Sequence, residues 1–435
     1  MLQTPSRTTR RGALRTLAAG VAAPWVVPRT ALGAEGKVAP SDRVTMGFIG
    51  VGGQGGGHLA GGAWTYLPGG YLGRDDVQIL AVCDVWRNKR DAYTKRVNDH
   101  YASKFGKDGY KACQAYVDFR DVLARPDIDA VLIGTPVHWH ALMRNMAARA
   151  GKDVYCEKPI SLIVREGRAM AEAVRRYGRV YQAGTQQRSE YGGKFRLACE
   201  LARCGRLGEL KCVYAMLGGG GWTDGGPAAA TGRPVPDGFD WDLYLGPVPW
   251  RPFDGHADAH RFGWGSINWG QHHYDIVQWG INADDTGPVE IGWEEGKLAY
   301  RYASGVVVYG CPYPGERVGG TGGCTFVGTK GRVAVDREHI VSYPPEILND
   351  PPRRDESPLY YSNSHSANFL DCVRTRKRTI CDAETGHRAM SIILLGGIAE
   401  KLRRPLKFDP QKEQFLNDPE ADRMLSAPCR EPWRL

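Results

Sequence analysis

Nowhere in this 435-residue chain does an uninterrupted apolar run approach the roughly 18 residues of a membrane-spanning helix, so no such helix is expected. Eleven cysteines are present, but they are scattered singly and no Cys-x-x-Cys pair occurs, which argues against a zinc site or a redox dithiol. No metal ligand set is read. A cysteine in an apolar run behaves as a small hydrophobe. Dense basic runs are missing too, apart from Arg374-Thr375-Arg376-Lys377-Arg378, which reads as the charged end of a surface helix. The formal charge of +9 is therefore a weak sign of nucleic acid. Five of its basic residues (Arg7, Arg10, Arg11, Arg15, Arg29) lie within the first 34, and without them the charge falls to +4. No internal repeat is found.

What is present points to a globular chain. With 42% hydrophobic and 24% charged residues it can build a full core, and its length suggests two domains. Thr9-Arg10-Arg11-Gly12-Ala13-Leu14-Arg15, the apolar stretch Leu17–Val27 and the small residues Ala31-Leu32-Gly33 together read as a twin-arginine address over residues 1–34. Ala13 stands where phenylalanine is usual. The expected partner is the twin-arginine export machinery, which carries folded proteins to the periplasm or otherwise out of the cytoplasm. A cofactor would then be loaded before crossing. Cleavage of the segment and its retention as an anchor both stay open.

From Val44 onward, short apolar runs alternate with helix-length amphipathic stretches, the signature of βαβ units. Strands are expected at Val44–Ile49, Val77–Cys83, Ile128–Ile133, Asp153–Cys156 and Arg179–Gln182. Helices are expected near Trp86–Lys104, His140–Ala150 and Leu162–Tyr177. After about Thr185, a helix at Lys194–Cys204 precedes strand-like runs with no helix between them: 210–217, 289–294, 298–302, 306–311, 324–327 and 332–335. Helices follow near Ser366–Thr375 and Ala383–Leu402. The fold class is α/β: an N-terminal Rossmann doubly wound parallel sheet (42–184), then a C-terminal α+β domain with an open, predominantly antiparallel mixed sheet (185–408), then a polar tail (409–435). The long Gly/Pro/Trp-rich stretch 218–262 is expected to be functional, because loops of this length rarely are otherwise.

Gly50-x-Gly52-x-x-Gly55 directly follows the first strand. Gly50 would make the tight turn and Gly52 would let the backbone approach a pyrophosphate. Gly55 would permit close helix–strand packing, with Gly53 and Gln54 at the helix start. Asp84 ends the second strand, where a carboxylate can accept hydrogen bonds from ribose hydroxyls and repel a 2′-phosphate. NAD is favoured over NADP, although Arg87 three residues on would partly reverse the preference. Asp84 lies 34 residues after Gly50, against about 20 in the usual fingerprint. The glycine-rich Gly61–Gly73 region reads as an insertion.

Cys156-Glu157-Lys158-Pro159 closes a later strand of the series. Together with Gly134-Thr135-Pro136 and His140, Gly184-Thr185-Gln186-Gln187-Arg188, Gly270-x-His272-x-x-Asp275 and Phe326-Val327-Gly328-Thr329-Lys330-Gly331, it makes the chain resemble the Gfo/Idh/MocA oxidoreductase family. The resemblance runs from Val44 to about Arg404. It implies that Thr135, Pro136, His140, Glu157 and Lys158 border the nicotinamide cofactor, with Lys158 and His272 as catalytic residues. In the family the Lys–Pro peptide is often cis. Lys158 would stabilise the reacting oxygen, and His272 would take the hydroxyl proton. The family usually has aspartate four residues before this histidine. Here it is Asn268, which can hydrogen-bond substrate but cannot accept a proton. Asp275 would orient His272 or pair locally, with neither preferred. Gln187 and Arg188 are substrate-binding candidates, and an interdomain salt bridge is the other reading of Arg188. Trp222, Trp241, Tyr244, Trp250 and Trp264 would stack on sugar rings or simply pack; Trp264 is the substrate-binding candidate among them.

The expected function is an exported NAD(P)-dependent oxidoreductase acting on a sugar, polyol or related carbohydrate with tightly held cofactor. An NAD-dependent glycoside hydrolase or lyase working through transient oxidation is the alternative. A non-catalytic sugar-binding member of the fold is a second. A homo-oligomer is expected, since open sheets of this kind often bury their free face on another copy.

Overall fold

Val44–Ile49 (β1) is followed by Val77–Cys83 (β2), Gln114–Tyr116 (β3), Ala130–Ile133 (β4), Asp153–Cys156 (β5) and Tyr181–Ala183 (β6), all parallel, in the order β3-β2-β1-β4-β5-β6. β4 and β5 are buried at every position, the reason their sequences run continuously apolar instead of alternating. Between the strands lie Gly53–Ala60 (α1), Arg87–Phe105 (α2), Phe119–Leu123 (α3), Val137–Arg149 (α4) and Val164–Arg176 (α5). α5 buries Val164, Gly167, Met170, Ala171 and Val174, one helical face. The strand order reverses between β1 and β4, which opens a crevice at their C-terminal ends.

The computed structural model describes residues 38–62, 65–106, 109–216, 232–255, 266–316, 319–357 and 359–435. The twin-arginine segment, Trp222 and Trp264 lie outside them. The chain divides into two units, Met1–Arg43, in which Pro40–Asp42 forms a 3-10 turn, and Val44–Leu435, which holds both sheets. Among the described residues no helix is long and apolar enough to cross a membrane.

After β6 come Lys194–Arg203 (α6), Leu210–Met216 (β7), Trp241–Leu245 (α7) and Ser266–Gly280 (α8). Then follow Glu290–Glu294 (β8), Lys297–Arg301 (β9), Val307–Tyr309 (β10), Gly323–Gly328 (β11), Arg332–Asp336 (β12) and Ile340–Tyr343 (β13). His365–Thr375 (α9), Ala383–Leu402 (α10), Leu406–Asp409 (β14), Gln414–Phe415 (β15) and Pro419–Arg423 (α11) complete the chain. The second sheet runs β13-β12-β11-β7-β10-β9-β8-β14-β15, antiparallel except where β10 meets β7. In β7, Val213 and Ala215 are buried while Cys212 and Tyr214 on the other face are half-buried. Val341 and Tyr343 are exposed. This alternation marks a sheet with one covered face.

Four strands had no clear sequence signal. β3 and β15 are too short to display a period, and β13 and β14 are short runs beside turns and charged residues. Residues 409–435, read as a polar tail, contain β15 and α11, and Trp433 is buried with its ring 4.7 Å from that of Trp139. Within the glycine-rich region before β2, Tyr71 is fully buried, edge-on to Phe48.

A charged cluster ties α5 to α10 and to the β14–β15 turn. Arg168 donates to Glu384 (2.6 Å) and Glu413 (2.7 Å), and His387 Nε2 lies 2.7 Å from Glu413 Oε1. Burial pushes both carboxyls up, but Arg168 on each, with Arg388 on Glu384 and His387 on Glu413, outweighs it. Glu384 falls to about 2 and Glu413 well below the usual carboxylate range. Because both are lowered, their stabilisation is full above the ordinary carboxylate value of 4.5 and is lost as pH falls toward 2. Glu413→Gln is expected to cost about 1–2 kcal/mol in urea unfolding at neutral pH, because it removes one of the two carboxylates that neutralise Arg168 and Arg388 and leaves Glu384 to serve both. The difference from wild type should shrink in acid.

Candidate active site

The crevice holds a cavity of about 490 Å³, bordered by the glycine loop at one end and Lys158 at the other. Gly50 has φ +78°, and a Cβ there would stand 2.8 Å from the Thr135 amide nitrogen. A Cβ on Gly55 would stand 1.9 Å from the Gly50 carbonyl oxygen, so α1 sits directly against the loop. Gly52 and Gly53 differ. Nothing lies within 4 Å of a Gly53 Cβ, and the nearest atom to a Gly52 Cβ is Lys89 Nζ at 3.8 Å. No side chain caps α1. Its first N–H groups thus border open space in the cavity wall, the arrangement that receives a pyrophosphate. Gln54 lines the cavity beside them.

Asp84 also lines it, accepting from the Val51 N–H (2.9 Å) through Oδ2 and the Trp86 N–H (2.9 Å) through Oδ1. Burial raises its pKa, against these two hydrogen bonds. Arg87 does not face the cavity, contrary to expectation. It is the first residue of α2, its N–H donates to the Gly238 carbonyl and its side chain packs against Gly238, away from the cavity lining. Two residues on, about 200° around the helix, Lys89 takes the place expected of it, its Nζ 5.0 Å from the Trp86 ring centre.

Thr135 and Pro136 line the middle of the cleft with His140. The His140 ring bridges two carbonyls, Nδ1 at 2.5 Å from Pro159 and Nε2 at 2.7 Å from Thr135, one N–H donating at a time when neutral. It thereby ties the start of α4 to the turn after β5. The Lys158–Pro159 peptide in that turn is cis, and the Ile160 N–H donates to Gln271 Oε1 of α8 (2.8 Å).

Lys158 Nζ donates to Asn268 Oδ1 at 2.7 Å. Burial pulls its pKa down to about 8, with Glu157 opposing and Arg337 assisting. One helical turn beyond Asn268, His272 is buried, and among the described residues its Nδ1 has no hydrogen-bond partner. Burial, then Lys158 and Arg337, hold its pKa well below normal, so the ring is neutral. Glu157 accepts at one oxygen from His58 Nε2 (2.7 Å) and Gln186 Nε2 (2.8 Å). Burial raises its carboxyl, but His58, Lys158 and Gln186 keep it ionised. Glu157 borders the cavity, yet that oxygen is committed to protein partners.

Lys158, Asn268 and His272 are therefore brought together, and three expected residues are not. Arg188 is buried against Asp275 (Nε to Oδ2, 2.9 Å) and Asp284 (NH2 to Oδ1, 2.7 Å), which is the salt-bridge reading; neither Arg188 nor Asp275 lines the cavity. Asp275 therefore does not orient His272. Gln187 lies behind that histidine, its Nε2 donating to the His272 carbonyl (3.3 Å). Residues not expected at the site also line it: Trp86, Lys89, Gln186, Tyr191, Trp269 and Arg337. Gln186 lies within one of the recognised motifs and Trp269 beside another, whereas Arg337 sits on a hairpin with no local signal.

Asn268→Asp would place a carboxylate within hydrogen-bond reach of Lys158. An opposite charge at that distance raises a lysine pKa by about 1–3 units. The pH dependence of turnover is expected to move alkaline by that amount, read from rates measured across pH.

Residues 44–185 match the oxidoreductase family NAD-binding Rossmann fold, and residues 215–305 and 349–435 match the C-terminal alpha/beta domain of the same Gfo/Idh/MocA family. Glycosyl hydrolase family 109 proteins of Shewanella sp. (strain W3-18-1) and Shewanella baltica (strain OS155 / ATCC BAA-1091) are each 30% identical, over 184 and 176 residues. These matches cover 42% and 40% of this chain. They span little more than a third of the curated relatives' own length, 37% and 35%. Among solved structures, aldose-aldose oxidoreductase from Caulobacter crescentus, complexed with glycerol, aligns with TM-score 0.55 and 18% identity, covering 84% of this chain and 100% of that one. The WlbA dehydrogenase from Bordetella pertussis, in complex with NADH and UDP-GlcNAcA, aligns with TM-score 0.53 and 18% identity, covering 84% and 99%. At such identities the likeness is one of fold.

Proposed function

The chain belongs to the Gfo/Idh/MocA oxidoreductase family, and from that premise we propose that it is an NAD-dependent oxidoreductase acting on a sugar, polyol or related carbohydrate. The observation that carries this is the convergence of Lys158, Asn268 and His272 on one cavity with the open glycine loop. Gly50, Gly52, Gly53, Gln54 and Asp84 would hold the dinucleotide, which supplies a hydride acceptor. The chain's own residues handle the proton. A lysine whose pKa is near 8 is partly neutral at working pH, and neutral Lys158 accepts the hydroxyl proton at Nζ while Asn268 Oδ1 fixes its position. In the reverse direction the ammonium returns it. His272, held neutral, orients the substrate through its ring nitrogens; an imidazolium beside Lys158 and Arg337 would be strongly disfavoured. This exchanges the two roles expected from the motifs.

We further propose that the protein is exported through the twin-arginine route with its nucleotide already bound. Outside the cytoplasm free NAD is scarce, so the cofactor would be kept and recycled. NADP remains the less favoured nucleotide because Asp84 occupies the ribose end. A second copy of the chain would cover the outer face of the nine-stranded sheet. One reading competes, favoured by the glycosyl hydrolase family 109 relatives: transient oxidation that permits cleavage of a glycosidic bond without net redox.

The test is to purify the protein without added nucleotide and record its absorbance before and after candidate sugars. Bound nucleotide that becomes reduced supports the oxidoreductase. Release of an aglycone with no net reduction supports the glycosidase, and failure to retain or bind any dinucleotide sinks both.

A further inference from the structure

Residues 238–246, part of the Gly/Pro/Trp-rich stretch, cross the nucleotide end of the cleft. At one rim, the β2–α2 turn, the Asp240 N–H donates to the Val85 carbonyl (3.0 Å) and the Arg87 N–H to the Gly238 carbonyl (2.8 Å). Trp86 and Phe239 form an antiparallel bridge there, their ring centres 5.0 Å apart. At the other rim, the start of α4, His138 Nε2 donates to the Tyr244 carbonyl (2.8 Å) and Trp139 Nε1 to that of Leu243 (3.0 Å). The segment thus reaches from β2 to α4, and Phe239, Leu243 and Tyr244 line the cavity between the two attachments.

Its interior is as well built as its ends. Asp240 Oδ1 caps α7 by accepting from the Leu243 N–H (2.8 Å). Trp241 stacks on Tyr244 (5.2 Å) and meets Phe253 edge-on (5.1 Å). Gly246 has φ +50°, and a Cβ there would stand 2.0 Å from the Trp139 ring, so the segment rests on α4 with no room between. From outside, Arg430 donates to the Asp242 carboxylate (2.6 Å) and to the Gly246 carbonyl (2.8 Å). A connection that served only to join β7 to α8 would need neither an aromatic core of its own nor attachments on both rims. What it covers follows from its position. Asp84, at the end of β2, is the ribose carboxylate of the nucleotide reading. Beside it Val85 and Trp86 line the cavity with Leu243 and Tyr244, apolar and aromatic walls that suit a flat purine.

We propose that residues 238–246 are a strap laid over the adenosine half of the dinucleotide, with Leu243 and Tyr244 as adenosine-binding residues contributed by the second domain. This rests on the NAD-dependent reading and gives it a means of retention: the nucleotide leaves only when the strap parts from a rim.

The test loads the full-length protein with NADH, or with reduced nicotinamide mononucleotide, which lacks the adenosine half. Release of either is followed by its fluorescence after mixing with excess NAD, without any sugar or turnover. Leu243→Ala trims a half-buried side chain in the wall, and Arg430→Ala removes the outer anchor; neither touches the glycine loop. Each should speed NADH release about 10-fold, the contribution of one partly buried aliphatic contact or one charge-assisted hydrogen bond. Release of the mononucleotide should stay within about twofold of wild type. NADH release that neither variant changes overturns the strap, and so does an equal acceleration for both nucleotides, which would show general loosening of the cleft. In both cases the nucleotide reading stands. A wild-type protein that binds neither nucleotide removes that reading, and the strap with it.

Discussion

Lys158→Met is expected to slow the chemical step by about 10³–10⁴-fold while the purified protein keeps its dinucleotide, because the variant removes the proton acceptor and leaves the glycine loop untouched. Single-turnover reduction of bound nucleotide measures the first effect, and nucleotide content the second. The wild-type rate of sugar oxidation should rise with pH and level off above about 8, the value to which burial brings Lys158. The sign follows from the direction of transfer: oxidation needs the neutral amine, so activity grows as the ammonium is lost. Reduction of the ketone needs the ammonium, so its profile falls over the same range. A variant that retains full activity, or an oxidation rate that declines across this interval, would move the chemistry to another residue.

Gly55→Ala should be the most damaging single methyl group in the nucleotide end of the cleft. Its Cβ would lie 1.9 Å from the Gly50 carbonyl oxygen, a backbone atom with no rotamer to retreat into. Either α1 lifts from the loop or the loop leaves β1. The expected cost exceeds about 3 kcal/mol, at the upper end for overpacking, and nucleotide retention is lost with it. Gly53→Ala is the contrast. Open space surrounds that position, and alanine favours a helix by up to about 1 kcal/mol over glycine, so stability should hold or rise. The added methyl would still narrow the phosphate end and weaken retention. Urea unfolding and the ultraviolet absorbance ratio of the purified variants separate the two effects.

Much of this arrangement is legible in the sequence because it is local. A glycine spacing after an apolar strand, an acid at the end of the next strand, and a lysine followed by proline each describe a few consecutive residues whose backbone needs dictate their type. The parallel core strands are legible for the same reason, since burial on both faces leaves an unbroken apolar run such as Ala130–Ile133. What the sequence hides is pairing over distance. Arg188 beside Gln187 looks like a substrate contact, and only the fold shows that Asp275 and Asp284 neutralise it. Arg337 shows the opposite: an ordinary hairpin residue that the second sheet carries into the cleft. Lys89 replaces Arg87 through helical phase alone.

The placement of Trp433 bears on how the holoprotein comes into being. Trp139, which it packs against, donates to the Leu243 and Tyr244 carbonyls, and Arg430 holds the Gly246 carbonyl of the same segment (2.8 Å). Leu243 and Tyr244 form part of the cavity wall. That wall is therefore buttressed by residues that leave the ribosome on the order of tens of seconds after Trp139, at about 5–20 residues per second. A nascent chain can complete its first sheet early but cannot close the cleft. Closure of the cleft is thus a late event in biogenesis, completed only when nearly the whole polypeptide has folded.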